Sequence, residues 1–116
     1  MKEEINQYKY KPFGLRVLIK KIDNPLSNFG KDIFEGQIIG IPDKLSINNQ
    51  IKINSQFSDE TKEISDINYN NLFGELGIFS IGSKVLFKYN QEIIDNNADI
   101  YNVPVELIRA YINETK

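Results

Sequence analysis

Apolar and polar positions alternate most clearly over residues 13–22, where Leu15, Val17 and Ile19 fall to one side of an extended chain and Arg16, Leu18 and Lys20 to the other. Successive side chains of a strand point to opposite faces, so this segment predicts a strand with one apolar face and one mixed face. The mixed face suits contact with another subunit. Pro12 stands at the start, where its missing N–H costs no ladder bond. Asn24-Pro25, Ser27-Asn28 and Phe29-Gly30 crowd turn formers together and predict a loop over 23–33. Residues 35–41 predict a second strand, with Gly36 and Gly40 marking close approach or bending, and Pro42 ends it.

The stretch 42–77 mixes two periods. Ile47, Ile51 and Ile53 suggest a hairpin, while Ser58-Asp59-Glu60 has the form of a helix cap with an acidic first turn leading toward Ile64 and Ile67. The reading is a hairpin plus one short helix. Gly74 and Gly77 bracket a turn in which glycine supplies positive φ. Short strands are expected at 78–81, 84–89, 93–94 and 100–103, with Ile81-Gly82-Ser83 as a turn before the second. Pro104-Val105-Glu106 opens a further turn, and 107–112 is either a last strand or a short amphipathic helix. Closely spaced short strands and turns predict an all-β fold, a small barrel or sandwich with at most one short helix.

Composition sharpens this picture. With 116 residues there is room for one domain. It divides into an arm at 1–10, the loop at 23–33 and a roof-like insertion at 42–77 set on one barrel. There are 19 Ile and 14 Asn against two Ala, which favours strands over helices. The net charge of -2 disfavours broad binding to phosphate backbones. Its distribution is uneven: residues 1–31 hold seven basic and three acidic groups, and 32–75 hold three basic and eight acidic ones. No apolar run approaches the roughly 20 residues of a membrane span, and Met1 to Asn6 carries no apolar signal core, so a soluble, cytoplasmic or virion protein is expected.

The chain has no Cys, His or Trp, which removes thiol nucleophiles, imidazole bases, disulfides and the usual zinc ligands. Carboxylates are the acid/base groups that remain, densest at Asp59, Glu60, Glu63 and Asp66. On a helix Asp59, Glu63 and Asp66 would share a face, but no calcium-loop pattern accompanies them, and a solvated face outweighs a cation site. Ser27, Ser46, Ser80 and Ser83 have no imidazole to activate them. Gly74-Glu75-Leu76-Gly77 matches neither phosphate-binding glycine pattern. The expectation is a protein that is not an enzyme and uses no cofactor or metal. Tyr8-Lys9-Tyr10-Lys11-Pro12-Phe13 interleaves rings and ammonium groups as a single-strand binder does, with Tyr8, Tyr10 and Phe13 as its stacking residues. An arm whose rings cover a neighbouring surface fits the acidic balance better, and nucleic acid is an unlikely partner.

Four segments, in order, resemble the GroES-like co-chaperonin family. Lys11-Pro12-Phe13-Gly14-Leu15-Arg16-Val17-Leu18-Ile19-Lys20-Lys21 is similar to its opening strand, and Glu35-Gly36-Gln37-Ile38-Ile39-Gly40-Ile41 to its second. Ile81-Gly82-Ser83-Lys84-Val85-Leu86-Phe87 is similar to its V-G-D-x-V-L/I-F segment. Val103-Pro104-Val105-Glu106-Leu107-Ile108-Arg109-Ala110-Tyr111-Ile112 resembles its closing strand.

The resemblance implies a compact β-barrel with a mobile loop after the first strand and a hairpin projecting from the top. It also implies a homo-oligomeric ring whose first and last strands pair across neighbours and which caps a chaperonin to assist protein folding. On that reading Leu18, Lys20, Leu107, Ile108 and Tyr111 form the interface between copies, and Leu26, Phe29 and Ile33 bind the chaperonin. The family's loops carry Gly-Gly and three aliphatic residues, which 23–33 lacks, and 42–77 is longer than the family's roof hairpin. These departures favour a second expectation, a structural or virion-associated adaptor built on a similar barrel that contacts a viral structural protein.

Overall fold

The computed structural model describes residues 10–22, 32–54, 63–89 and 92–111. Among these residues six strands form one antiparallel sheet: β1 (Arg16–Ile22), β2 (Ile33–Gly40), β3 (Lys84–Lys88), β4 (Ile93–Asp95), β5 (Ile100–Pro104) and β6 (Ile108–Tyr111), in the spatial order β4-β5-β1-β2-β3-β6. β1 and β2 form a hairpin whose register runs from Leu18↔Gly40 to Ile22↔Glu35, with an irregularity at Leu18/Ile19. On its other side β1 pairs with β5, from Arg16↔Pro104 to Lys20↔Ile100. The first strand is therefore interior, and the reading that it forms an edge for a neighbouring copy is corrected. Its three consecutive buried residues, Val17, Leu18 and Ile19, are what a strand covered on both faces requires.

The larger core lies on one face, where Val17, Ile19, Ile38, Val85, Phe87, Tyr101 and Val103 meet Ile47 and Phe73 from two helices. Ring pairs tie it together, with Phe87 and Tyr101 centroids 5.8 Å apart. The opposite face carries a smaller cluster of Leu18, Ile39 and Ile100, edged by Ala98. Burying an aliphatic or aromatic side chain is worth about 1.5–3 kcal/mol, so the larger face dominates stability. Gly36 lets the strands close up: a side chain there would run into Ile19 and lie 3.0 Å from the Phe87 ring.

Between β2 and β3 the chain forms α1 (Lys44–Asn54) and α2 (Asp66–Phe73). Two helices replace the expected hairpin plus one, and a 3-10 turn (Val105–Leu107) precedes β6. Ile47 and Ile51 are four residues apart, a helical spacing, and Ile47 is buried while Ile53 is exposed. Asp43 starts α1 by accepting the Ser46 N–H at 2.9 Å. Ser65 caps α2, its hydroxyl accepting the Asn68 N–H at 3.1 Å. The cap expected at Ser58-Asp59-Glu60 lies outside the described residues.

Residues 78–81 form turns instead of a strand, because their donors are taken locally. The Ile78 N–H donates to the Asn71 carbonyl at 3.1 Å and the Phe79 N–H to the Leu72 carbonyl at 2.7 Å, which closes the chain onto the end of α2. That closure also explains Gly74 and Gly77. Gly74 has φ −69°, and a side chain would stand 2.6 Å from the Asn70 carbonyl oxygen at Gly74 or 2.6 Å from the Leu72 backbone at Gly77. Close approach, and not positive φ, is the reason for glycine here. The last segment is settled as a strand: β6 pairs with β3 through Val85↔Tyr111 and Leu86↔Ala110. Among the described residues no helix is long and apolar enough to cross a membrane.

Candidate functional site

Two surfaces present apolar groups at the borders of the sheet. The first is a groove of about 340 Å³ beside β4. Tyr10, Pro12 and Phe13 of the arm line it together with Leu18 of β1 and Ile93 and Ile94 of β4. Tyr10 is 51% exposed and Phe13 46%, so both rings present half of their surface to solvent. Lys11 and Asn102 add polar groups. A polar clamp fixes the far wall. Arg16 Nη1 donates to Glu92 Oε1 at 2.8 Å, the Asn102 side-chain amide donates to the same oxygen at 3.2 Å, and the Asn102 N–H donates to the Glu92 carbonyl at 2.8 Å. β4 is thereby held against β1 and β5, although it pairs through only Ile93↔Tyr101 and Asp95↔Ile100.

The second surface is β6 at the opposite border, where Arg109, Ala110 and Tyr111 are exposed. One side of β6 pairs with β3, and the other side is the end of the sheet among the described residues. An edge strand presents a row of backbone donors and acceptors that can pair with another chain.

The residues expected to contact a second copy are dispersed by this arrangement. Leu18 is 1% exposed and packs with Ile39 and Ile100 at the floor of the groove. Leu107 and Ile108 pack against the larger core. Lys20 is exposed but stands on an interior strand, three strand spacings from β6, or about 14 Å along the sheet. Tyr111 alone of the five is an exposed side chain on an edge strand.

Among the residues expected to bind a chaperonin, Leu26 and Phe29 lie outside the described residues. Ile33 is half-buried and opens β2 opposite Lys88, so the strand begins inside the segment expected to be loop. Its neighbour Phe34 packs edge-on to Tyr89 at 5.9 Å, with the Lys21 ammonium 4.5 Å from its ring centre. Those contacts anchor the base of the β1–β2 connection. Of the residues considered for base stacking, Tyr10 and Phe13 reach the groove, and Tyr8 lies outside the described residues.

Of the acidic cluster, Glu63 and Asp66 are among the described residues and only Asp66 lies on a helix. Glu63 precedes α2, Asp66 begins it and pairs with Lys44, and Asp59 and Glu60 lie outside the described residues. Among the described residues no three His, Cys, Asp or Glu side chains are placed to hold a metal ion. The Ser80 and Ser83 hydroxyls lie 3.0 Å apart and bond to each other. The Tyr69 hydroxyl donates to the Pro42 carbonyl at 2.6 Å, and burial first, then the Asp43 charge, raise its pKa.

Sequence pattern did not reveal the wall formed by Ile93 and Ile94. A usable signal was present, since two adjacent isoleucines in a three-residue strand cannot both face a core. Leu45 and Ile53 of α1, Ile67 of α2 and Leu76 of the turn that follows are further exposed apolar side chains. Comparison with protein-family models, with curated proteins and with solved structures finds no match.

Proposed function

We propose that this chain is a non-enzymatic, co-chaperonin-like subunit that assembles with copies of itself into a ring and caps a chaperonin. One observation carries the reading: the four segments that resemble the family fall, in order, on the lead-in to β1 and β1, on β2, on the turn and β3, and on the end of β5 through β6. β1, β2 and β3 are hydrogen-bonded neighbours, with β6 next to β3 at the border, so the four segments meet in one contiguous sheet.

In this reading the sheet curls toward the family's barrel. Tyr111 and the backbone of β6 meet a neighbouring copy, and the 10–13 arm receives that copy from the other side. Unlike surfaces in contact, one near each border of the sheet, generate a closed ring when the rotation between copies closes. The connection between β1 and β2, with Leu26 and Phe29, reaches the chaperonin.

The test is native mass spectrometry and sedimentation at micromolar concentration, with and without a chaperonin and ATP. A ring that binds the chaperonin only with nucleotide, and loses binding in Leu26→Ser/Phe29→Ser, is the expected result. A chain that stays monomeric and ignores the chaperonin overturns it. A second reading, an oligomeric structural or virion-associated adaptor, draws on the exposed Leu45, Ile53, Ile67 and Leu76 of the helical insertion. It predicts a ring or particle indifferent to the Leu26/Phe29 changes and disrupted by Leu45→Ser/Ile67→Ser.

A further inference from the structure

The arm enters β1 through Gly14, whose φ of 76° is the left-handed region that favours glycine. At this turn two backbone donors are taken by side chains of a distant helix. The Gly14 N–H donates to Ser46 Oγ at 3.3 Å, and the Leu15 N–H donates to Gln50 Oε1 at 3.2 Å. Ser46 and Gln50 are four residues apart and so share one face of α1. The Gln50 amide occupies the space that a side chain at position 14 would need. Ser46 also donates to the Asp43 carbonyl at 3.1 Å, which ties this contact to the start of the helix. Beyond the turn the Arg16 N–H returns to the Gly14 carbonyl at 2.9 Å, and pairing with β5 begins.

We infer that Ser46 and Gln50 latch the 10–13 arm to the helical insertion, so that α1 shapes the groove above Leu18 without lining it. α1 packs through Ile47 on the larger face of the sheet, while Tyr10, Pro12 and Phe13 line a groove that includes Leu18 of the smaller face. The two hydrogen bonds of the latch, at Gly14 and Leu15, join the two directly. Releasing it frees the arm wall of the groove, and by linkage anything seated against the arm steadies α1. Ser46 and Gln50 are positioning residues. Their consequence for assembly rests on the ring reading above, whereas the latch itself does not.

Residue-resolved amide hydrogen exchange on the full chain tests it. Gln50→Ala should speed exchange of the Leu15 amide, and Ser46→Ala/Gln50→Ala should speed both Gly14 and Leu15, by roughly two- to tenfold for each bond removed. The Val85 and Phe87 amides should keep their rates. Gly14→Ala should release the latch as well, because the new methyl displaces Gln50. Gly82→Ala is the control: Gly82 has φ 96° with open space around its Cβ position, so it introduces backbone strain and leaves Leu15 unchanged. Unchanged Leu15 exchange in the double variant overturns the latch, as does equal acceleration at Val85 and Phe87. These amides report in a monomer or a ring, so a chain that never assembles overturns the ring reading and leaves the latch to its own measurement.

Discussion

The sheet and the helical insertion are held by different means. β1, β2 and β3 share Val17, Ile19, Ile38, Val85 and Phe87 in one continuous core, whereas α1 is fastened by a single deeply buried side chain, Ile47, and α2 by Phe73. Partly buried Ile51, Ile64, Tyr69, Leu72 and Phe79 add to these two anchors, and polar links join them: Tyr69 to the Pro42 carbonyl, the Ile64 N–H to Asn48 Oδ1 at 2.9 Å, and Lys44 to Asp66. Exposed ion pairs of the last kind contribute about 0–1 kcal/mol. With only Ile47 and Phe73 fully buried among the described residues of its helices, the insertion should open at lower free energy than the core it rests on and fluctuate as a unit of its own while the sheet stays closed.

The largest effect should come from the sheet. Phe87→Ala leaves a cavity among Phe34, Tyr101 and the strands, and should cost about 3–5 kcal/mol in a single cooperative denaturant transition. Ile47→Ala should cost less, about 2 kcal/mol, and show where the two regions part. Exchange at the Ile64 and Tyr69 amides should accelerate while Val85 and Phe87 hold their rates. If Ile47→Ala instead loosened all of these equally, the insertion and the sheet would be one cooperative unit.

The smallest effect concerns Tyr69, which joins α2 to the entry of α1. Its folded pKa is raised, first by burial and then by the Asp43 charge, so the folded chain holds this proton more tightly than the unfolded chain does. The stabilising contribution is complete below the unfolded value of about 10 and is lost as pH climbs from there through the folded value. Tyr69→Phe should therefore be less stable than the parent at pH 7, by about 1 kcal/mol for the lost hydrogen bond, and the difference should shrink in alkaline solution. Parallel melts of the two proteins from pH 7 to 11 measure it. A constant difference would mean that the hydroxyl is not held as described.

Most of the sheet was legible because the residues that face the larger core recur at every second position of a strand. Leu15, Val17 and Ile19 predicted β1, and the stretch from Lys84 to Tyr89 predicted β3, within a few residues of their limits. The insertion was not legible because isoleucine scores against a helix while its placement at Ile47 and Ile51 supports one, and the deciding contact, Ile47 in the core, is made with strands far away in sequence. The candidate surfaces were legible in part. Tyr10 and Phe13 stood out as rings interleaved with lysines, and Tyr111 through the resemblance alone, whereas the packing of Leu18 in the smaller core had no local signal.

By itself, then, the order of residues determined a single β-rich domain, the positions of five of the six strands in outline, and a chemistry without thiols or imidazoles. Tertiary structure decided which strand is interior, which residues of the mixed face are covered, and that Ser46 and Gln50 accept the Gly14 and Leu15 amides. The physical reason is range. Alternation and turn chemistry act over a few residues, whereas whether Leu18 meets solvent depends on Ile39 and Ile100, and the hold on Gly14 and Leu15 depends on a helix more than thirty residues downstream.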